Sequence, residues 1–341
     1  MYWNDITHPL RFWVKEPKAA FDFYIKFAVT RFLDKKVFHR NFLMERAKKR
    51  GNVEQRLLMT EEEFSEVLFE RIRSGEPMFV SRFGTAELGG CMFSDFCHAG
   101  YIDAIPEDRI KALKMNTGVF PESKEMYLHF AEIYKQALCA ADFTSYWGNA
   151  LLEEYYLNKY YPKDVQLMEM TALDSFRGHT TQPWTYALKG KKVIVVHPFV
   201  DEIQAQYKRR ELLFADSRIL PEFELITVKA IQSSGKNTPE GIRDWDEALH
   251  MLFDECQKHD YEVALLGCGS YAVPLGKMIK DAGKQAIVMG SAIQLLFGIK
   301  GKRWDDTDPE IVSLYNDSWI RAGKGTIIAG AEEKADGASY W

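Results

Sequence analysis

The chain has 341 residues, of which 46% are hydrophobic and 27% are charged, as in an ordinary soluble globular protein. No stretch reaches the ~20 apolar residues that a membrane-spanning helix needs, and the first residues lack the pattern of a secretory signal. Residues 1–51 carry 12 Lys/Arg and 5 Asp/Glu, a net charge of +7, so the overall net charge of −5 leaves −12 on the rest of the chain. That acidity argues against a nucleic-acid-binding protein. The five cysteines have no CxxC spacing, which predicts reduced thiols in a cytoplasmic protein.

The first 75 residues are predicted to form a helical N-terminal extension. Residues 19–33 are aromatic and apolar with interspersed charges, which predicts one helix. A second helix begins after Thr60, because Glu63 stands three residues later as the partner in a capping box. This second helix should end near Gly75, since a proline follows two residues later.

The basic and aromatic residues 1–51 have two interpretations. They can lie on an anionic membrane surface, which would make the protein membrane-associated. Alternatively, they can pack on the rest of the chain or on a second copy in a homodimer. We favour packing, because Asp22 and Asp34 interrupt the basic face.

An α/β domain is predicted from residue 76 to residue 300, followed by a C-terminal extension over 301–341. Short apolar runs predict strands near 78–83, 143–147, 165–170, 193–196, 225–230, 263–266 and 286–289. Helices are predicted near 108–114, 122–140, 201–214, 239–259 and 275–282, and Thr238 is the expected N-cap of the fourth. This alternation predicts a Rossmann-like, doubly wound and mostly parallel sheet. The loops at the carboxyl ends of its strands should converge along one rim and bind a ligand.

The first of these loops contains Arg82, Gly84, Thr85 and Glu87 directly after a strand. An arginine can bind phosphate oxygens through paired hydrogen bonds, and a glutamate can bind a ribose hydroxyl or a divalent metal ion. The spacing favours equally a plain strand-to-helix turn that is held by an internal Arg82–Glu87 ion pair.

Two other strands each end in one candidate residue. Asn149 follows Trp147 and Gly148 and can face a base or a sugar as both donor and acceptor, although an ordinary turn is slightly favoured. His197 closes a strongly apolar strand, where it can transfer a proton or contact phosphate. A histidine that is hydrogen-bonded within its own loop is about equally favoured.

The loop 231–238 suits an anion because small residues, including Ser234, stand beside Lys236 shortly before a predicted helix start. It is not a Walker A loop, because position 230 is not glycine and the lysine is followed by asparagine. A plain flexible loop is an equally good interpretation of these residues.

The turn that contains Gly267, Gly269 and Ser270 lets a ligand approach the backbone closely. The third glycine of a dinucleotide-binding fingerprint is absent, and no acidic residue closes the next strand to bind a ribose. The intervening Cys268 is interpreted as a small buried thiol.

A long polar stretch between two strands contains Asp174, Arg177 and His179. Loops of this kind often carry function, so these side chains can contact an acceptor sugar or supply a base. A solvated loop without a function is an equally good interpretation.

Two of these stretches together resemble the GT-D type of glycosyltransferase. That family has Arg-Phe/Ile-Gly-Asp-Gly-Glu after a strand, where this chain reads Arg82–Phe–Gly–Thr–Ala–Glu87. The family also has an apolar strand that ends in glycine, a helix, and Gln-Ala-Ile-Asp-x-Gly, where this chain reads Gln285–Ala–Ile–Val–Met–Gly290. Thr85 and Val288 replace two aspartates of the family. The resemblance spans residues 78–290 and is dense only at its two ends.

The resemblance implies a hexosyltransferase of polysaccharide biosynthesis that moves a sugar from a nucleoside-diphosphate donor to a glycan or lipid-linked acceptor. It implies that Glu87 holds the nucleotide or an Mn²⁺ or Mg²⁺ ion, an expectation that Thr85 weakens. Arg82 and the amides of residues 267–270 would contact phosphate, and Asp174 or His179 would be the base. Asn149 stays a candidate because an asparagine often follows this strand in the family.

Two other classes of function remain open from the sequence. A non-catalytic, Rossmann-like nucleotide-binding or signalling module would keep the glycine turns and would need no acidic residue. A scaffold protein would use the helical N-terminus for assembly.

Overall fold

The computed structural model describes residues 5–33, 42–148 and 152–323, which alternate strands and helices. The strands are β1 (Asn52–Val53), β2 (Arg56–Met59), β3 (Met78–Ser81), β4 (Phe143–Tyr146), β5 (Gln166–Glu169), β6 (Lys192–His197), β7 (Glu224–Lys229), β8 (Val263–Leu266), β9 (Gln285–Val288), β10 (Ile299–Lys300) and β11 (Ile320–Arg321). The α-helices are α1 (Pro9–Lys15), α2 (Pro17–Phe21), α3 (Phe27–Phe32), α4 (Phe42–Arg50), α5 (Glu61–Ser74), α6 (Thr85–Ala99), α7 (Glu107–Thr117), α8 (Lys124–Leu138), α9 (Glu153–Tyr160), α10 (Val200–Tyr207), α11 (Trp245–Gln257), α12 (Ala272–Asp281), α13 (Ala292–Leu296), α14 (Lys302–Thr307) and α15 (Pro309–Ser313).

The main sheet has nine strands in the order β1-β2-β5-β4-β3-β9-β8-β6-β7, and every neighbouring pair except β1 and β2 is parallel. Strands β3, β8 and β9 are buried along their whole length, as expected for parallel strands that are covered on both faces. All seven strands predicted from the sequence are present. The predicted fold class, a doubly wound and mostly parallel α/β sheet, is therefore confirmed.

The chain leaves the adjacent strands β6 and β8 toward opposite faces of the sheet. Strand β6 leads into α10, whose Ile203 packs in the same core as Val195. Strand β8 leads into α12, whose Leu275 packs in the other core with Leu266. Such a reversal opens a crevice at the carboxyl ends of the two strands, which is where open α/β sheets bind ligands.

Two helix starts test the capping predictions. The capping box of α5 is confirmed, because the Glu63 N–H donates to Thr60 Oγ1 at 3.3 Å and the Thr60 N–H donates to Glu63 Oε2 at 2.9 Å. The predicted start of α11 after Thr238 is wrong, since that helix begins at Trp245 with Asp244 as its N-cap. Gly241 explains the delay, because its φ of 75° interrupts a right-handed helix.

The N-terminal region contributes more to the sheet than its helical pattern predicts. Residues 56–59 form β2 and pair in parallel with β5. The sequence did not predict this strand, because a run of four residues is too short to show a clear period. The aromatic side of the N-terminal helices packs on the domain, where Phe12 and Phe23 contact Phe96. No helix among the described residues is long and apolar enough to cross a membrane.

Candidate functional site

Loops from four adjacent strands meet at the centre of the sheet's carboxyl rim. After β3, Arg82 Nη1 donates to the carbonyl of Met289, which follows β9, at 3.0 Å. The Gly290 N–H donates to the carbonyl of Leu266 in β8 at 3.1 Å. A methyl group on Gly267 would lie 2.7 Å from the His197 ring and 2.8 Å from the Gly290 carbonyl oxygen, so these three residues are closely packed. Arg82, the glycine turn and His197 therefore line one continuous rim.

The glycine turn after β8 presents backbone amides rather than side chains. Within the described residues, the N–H groups of Cys268, Gly269 and Ser270 donate to no backbone carbonyl, and the Ala272 N–H donates to the Gly269 carbonyl. Gly269 is exposed and has a φ of 63°, and a side chain there would point into open space. These amides precede α12, so the positive end of the helix dipole faces the same crevice.

The side chains of this turn point inward. The Ser270 hydroxyl donates to the Thr117 carbonyl at 2.7 Å and accepts from Trp245 Nε1 at 2.9 Å, which leaves only the backbone of Ser270 for a ligand. Burial raises the pKa of the Cys268 thiol, so it stays protonated. This agrees with its interpretation as a small buried thiol rather than a nucleophile.

His197, at the end of β6, is a neutral hydrogen-bond donor. Burial lowers the pKa of His197 to about 3, so the ring is uncharged at neutral pH. Its Nδ1 accepts from the Phe199 N–H at 3.1 Å, which places the ring proton on Nε2. The predicted bonding within its own loop is therefore present, and Nδ1 is not available as a base.

The turn after β3 folds Glu87 back on its own helix. Glu87 is the third residue of α6, and a methyl group on the N-cap residue Gly84 would collide with its carboxylate. A carboxylate in this place stabilises the helix N-terminus. Thr85 is exposed beside it. A side chain at position 84 would therefore displace the Glu87 carboxylate from this place.

Arg82 is held by neighbours on three sides. Besides its bond to Met289, its guanidinium lies 6.0 Å from the centre of the Trp147 ring. It also acts electrostatically on the buried carboxylate of Asp174. Arg82 is partly exposed, so it is an oriented cation at the edge of the crevice.

After β4, two backbone N–H groups donate to Glu153, a residue that the sequence analysis did not single out. The buried carboxylate of Glu153 accepts from the Trp147 N–H at 2.7 Å and from the Gly148 N–H at 2.9 Å. An acidic residue in the first turn of α9 was the only available signal, and that signal is common at helix starts. The predicted Asn149 lies outside the described residues.

The candidate bases Asp174 and His179 lie in one ion-pair cluster with Arg177. Asp174 Oδ2 accepts from Arg177 Nε at 3.2 Å, while the buried Oδ1 has no hydrogen-bond partner. Burial raises the pKa of Asp174 against the opposing effects of Arg82 and Arg177. Burial alone would lower the pKa of His179. The carboxylates of Glu61 and Glu310 both contact the ring and raise the pKa of His179 above its ordinary value.

The loop 231–238 is organised around a buried cation that belongs to the protein. Lys114 Nζ donates to the carbonyls of Ser233, Gly235 and Asn237 at 2.7, 3.1 and 2.8 Å. Carbonyl groups therefore point at an internal ammonium group where the sequence suggested an external anion. The predicted residues Ser234 and Lys236 lie in this tethered loop, where Lys236 is exposed.

Comparison with known proteins gives a likeness of fold. No protein-family model and no curated protein matches this chain. A solved structure of the highly conserved domain of unknown function 1792, described as having a distinct glycosyltransferase fold, shares 11% identity with it at a TM-score of 0.43, over 85% of this chain and 97% of that one. A selenomethionine-substituted structure of the same kind of domain shares 11% identity at a TM-score of 0.32, over 79% and 98%. The structural neighbours are DUF1792 domains. Likenesses this weak assign no activity to this chain.

The residues of the rim do not fit a metal held by the protein. Glu87 supplies one carboxylate, which is turned toward Gly84, and Thr85 adds only a hydroxyl. Over residues 5–33, 42–148 and 152–323, no cluster of three or more His, Cys, Asp or Glu side chains could hold a metal ion. Among the described residues, the rim therefore offers no set of three protein ligands for the Mn²⁺ or Mg²⁺ expected from the sequence resemblance.

Proposed function

We propose that this protein is a glycosyltransferase that binds a nucleoside-diphosphate sugar at the centre of the carboxyl rim and transfers the sugar to a glycan or lipid-linked acceptor. One observation carries the proposal. The partly exposed Arg82 and the three amides of residues 268–270 lie on the same rim, close to the point where the chain leaves β6 and β8 toward opposite faces of the sheet.

A diphosphate is the ligand whose chemistry fits this rim best. Amides at a helix N-terminus bind one phosphate group, and a guanidinium can hold another through paired hydrogen bonds. The uncharged Nε2–H of His197 adds a donor that does not change charge near neutral pH. A sugar nucleotide carries its diphosphate between the nucleoside and the sugar, so binding it here would leave the sugar in the crevice.

Transfer of the sugar forms a bond between the acceptor hydroxyl oxygen and the anomeric carbon, breaks the bond between that carbon and the terminal phosphate oxygen, and releases the hydroxyl proton to water. Negative charge builds up on the leaving diphosphate. Arg82 and the amides of residues 268–270 would stabilise that charge. The buried Asp174 acts electrostatically on Arg82 and pairs with Arg177, so we assign it a positioning role rather than that of a base. We do not assign His179 as the base either, because both of its ring nitrogens contact carboxylates, those of Glu61 and Glu310.

Nucleotide binding without transfer is the second candidate function. The observation that favours it is the engagement of both predicted bases, Asp174 and His179, in ion pairs. A binding module needs only the amides and Arg82, and both candidates therefore predict the same diphosphate site.

Calorimetric titration with UDP, GDP, ADP and NAD, followed by assays of release of the diphosphate from the matching sugar nucleotides, separates the candidates. A transferase binds one nucleoside diphosphate and slowly hydrolyses the matching donor, since water can replace the acceptor. We expect Arg82→Gln to weaken binding at least about tenfold, the size of a lost charged hydrogen bond to phosphate. The matched control Arg218→Gln, on a surface loop, should leave binding unchanged. Binding without hydrolysis, including tight binding of NAD alone, supports the second function, while no binding at all contradicts both.

A further inference from the structure

A small cavity with polar walls lies at the carboxyl edge of the sheet, where the parallel strands β2 and β5 end. Its walls include Thr171, Asp174, Ser175 and His179 from the loop after β5, and Glu61 from the start of α5. The cavity has a volume of about 10 Å³, which is room for one water-sized group. We call it the polar pocket.

Two polar atoms of the polar pocket have no hydrogen-bond partner. Over the described residues, neither Asp174 Oδ1 nor Ser175 Oγ bonds to another protein group. Both side chains are buried, since the Asp174 side chain is 9% exposed and Ser175 is 5% exposed. Leaving a buried polar atom unpaired is costly, and such atoms are uncommon in folded proteins. Two of them at one pocket indicate that a bound group completes their hydrogen bonds.

Other polar groups around the polar pocket are bonded to each other. Glu61 accepts from Thr171 Oγ1, and its second oxygen lies 2.6 Å from His179 Nδ1. Asp174 Oδ2 accepts from Arg177 Nε at 3.2 Å. These bonds hold the walls in place and leave one carboxylate oxygen and one hydroxyl for a ligand.

The chemistry of these two atoms selects a hydroxyl group. A carboxylate oxygen can only accept a hydrogen bond, whereas the serine hydroxyl can donate one, so a single group that both donates and accepts satisfies both. A phosphate group would meet the negative charges of Asp174 and Glu61. A metal ion would lack ligands, because the part of the chain that the structure describes has no cluster of three or more side chains that could hold one.

The polar pocket lies near Arg82, the cation of the proposed diphosphate site. Burial raises the pKa of Asp174, and the charge of Arg82 opposes this rise more strongly than the charge of Arg177 does. The helical turn Ser175–Arg177 also contacts α13, which begins three residues after Met289, whose carbonyl accepts from Arg82. A sugar ring that is joined to a phosphate group at Arg82 would therefore lie beside the polar pocket.

We propose that the polar pocket binds one hydroxyl group of a sugar ring that is joined to the diphosphate. That hydroxyl donates to Asp174 Oδ1 and accepts from Ser175 Oγ. The ring is either the sugar to be transferred or the ribose of the nucleoside, because these two rings stand at the two ends of the diphosphate. The inference rests on the proposed function, since its ligand is held at the diphosphate site.

The substitution Ser175→Ala tests the proposal, because it removes a hydroxyl that the fold does not use. Calorimetric titration measures binding of whichever of UDP, GDP and ADP the wild type binds, and of the matching glucose and galactose conjugates. We expect about tenfold weaker binding, the size of one hydrogen bond. Weakening of a sugar conjugate alone identifies the transferred sugar as the ring, and equal weakening of the free nucleoside diphosphate identifies the ribose.

The matched control is Ser94→Ala, which removes another buried hydroxyl without a described partner, inside α6 and away from the polar pocket. It should leave every affinity unchanged. Neither variant should melt at a lower temperature than the wild type, because neither hydroxyl has a protein partner to lose.

Equal affinities of Ser175→Ala and a wild type that binds would overturn the role of the polar pocket and leave the diphosphate site in place. A fall in the melting temperature of Ser175→Ala alone would also overturn it, since the hydroxyl would then serve the fold. A wild type that binds none of these nucleotides would instead refute the proposed function itself.

Discussion

Replacing His197 should remove a large part of the acid sensitivity of this protein. Burial lowers the pKa of His197 to about 3 from an ordinary value of 6.5, so between these two pH values the unfolded chain binds a proton that the folded chain does not. The free energy of unfolding therefore rises with pH. The contribution of His197 is fully present above pH 6.5 and is lost as the pH falls toward 3.

The size of the effect follows from the difference between the two pKa values. Each pH unit below the unfolded pKa costs about 1.4 kcal/mol, so at about pH 5 the wild type should lose about 2 kcal/mol relative to neutral pH because of this one ring. His197→Gln keeps an oxygen that can accept from the Phe199 N–H but does not titrate. This variant should be less stable than the wild type at neutral pH but should lose about 2 kcal/mol less on acidification.

Urea unfolding followed by tryptophan fluorescence, at about pH 7.5 and about pH 5, measures this difference. Other groups also titrate in that range, so the informative quantity is the change in the wild type minus the change in the variant. His250→Gln, at an exposed position on α11, is the matched control and should behave as the wild type does. The reasoning is refuted if His197→Gln and the wild type lose the same stability between the two pH values.

The packing of the rim gives three more predictions, each measurable by urea unfolding at neutral pH. Gly267→Ala should destabilise the protein by about 1 to 3 kcal/mol because the new methyl group would meet three neighbours closer than 3 Å, whereas Gly89→Ala, in a helix with open space around it, should stabilise it by up to about 1 kcal/mol. An equal response of the two glycines would contradict the packing. Lys114→Met should lower the free energy of unfolding by at least about 2 kcal/mol, because three carbonyl groups lose their donor. An unchanged midpoint of urea unfolding would show that the loop 231–238 does not depend on this lysine. Glu153→Gln should lower the free energy of unfolding by about 1 to 2 kcal/mol, since the single amide oxygen cannot accept from both the Trp147 and the Gly148 N–H as the two carboxylate oxygens do. A stabilised variant would mean that the buried charge of Glu153 is a net penalty.

The sheet could be predicted from the sequence because its central strands are continuous apolar runs. Val263–Leu266 has no polar residue and is bounded by a glycine turn, so its position was clear before its partners were known. The outer strand β2 could not be predicted in the same way, because four residues cannot show a period and pairing with β5 depends on residues about a hundred positions away.

The candidate site could be predicted as a location but not as a set of contacts. Parallel strands put their loops on one rim, so Arg82, His197 and Gly269 were expected near each other from topology. Which groups face the crevice depends on side-chain packing, and there the pattern of residues gave no guidance. Ser270 turns inward to Trp245, and Lys114, from a distant helix, holds a loop that looked suited to an anion.

The amide resonances of Cys268, Gly269 and Ser270 provide the most direct test of a diphosphate site at the centre of the rim. In an NMR titration of the isotopically labelled chain with the nucleoside diphosphate that binds, we expect these three amide signals to shift most, because their N–H groups donate to no backbone carbonyl in the described part of the chain. The same signals should shift little in Arg82→Gln at equal ligand concentration. Large shifts confined to the loop 231–238 or to the N-terminal helices, with these three signals unchanged, would contradict the account.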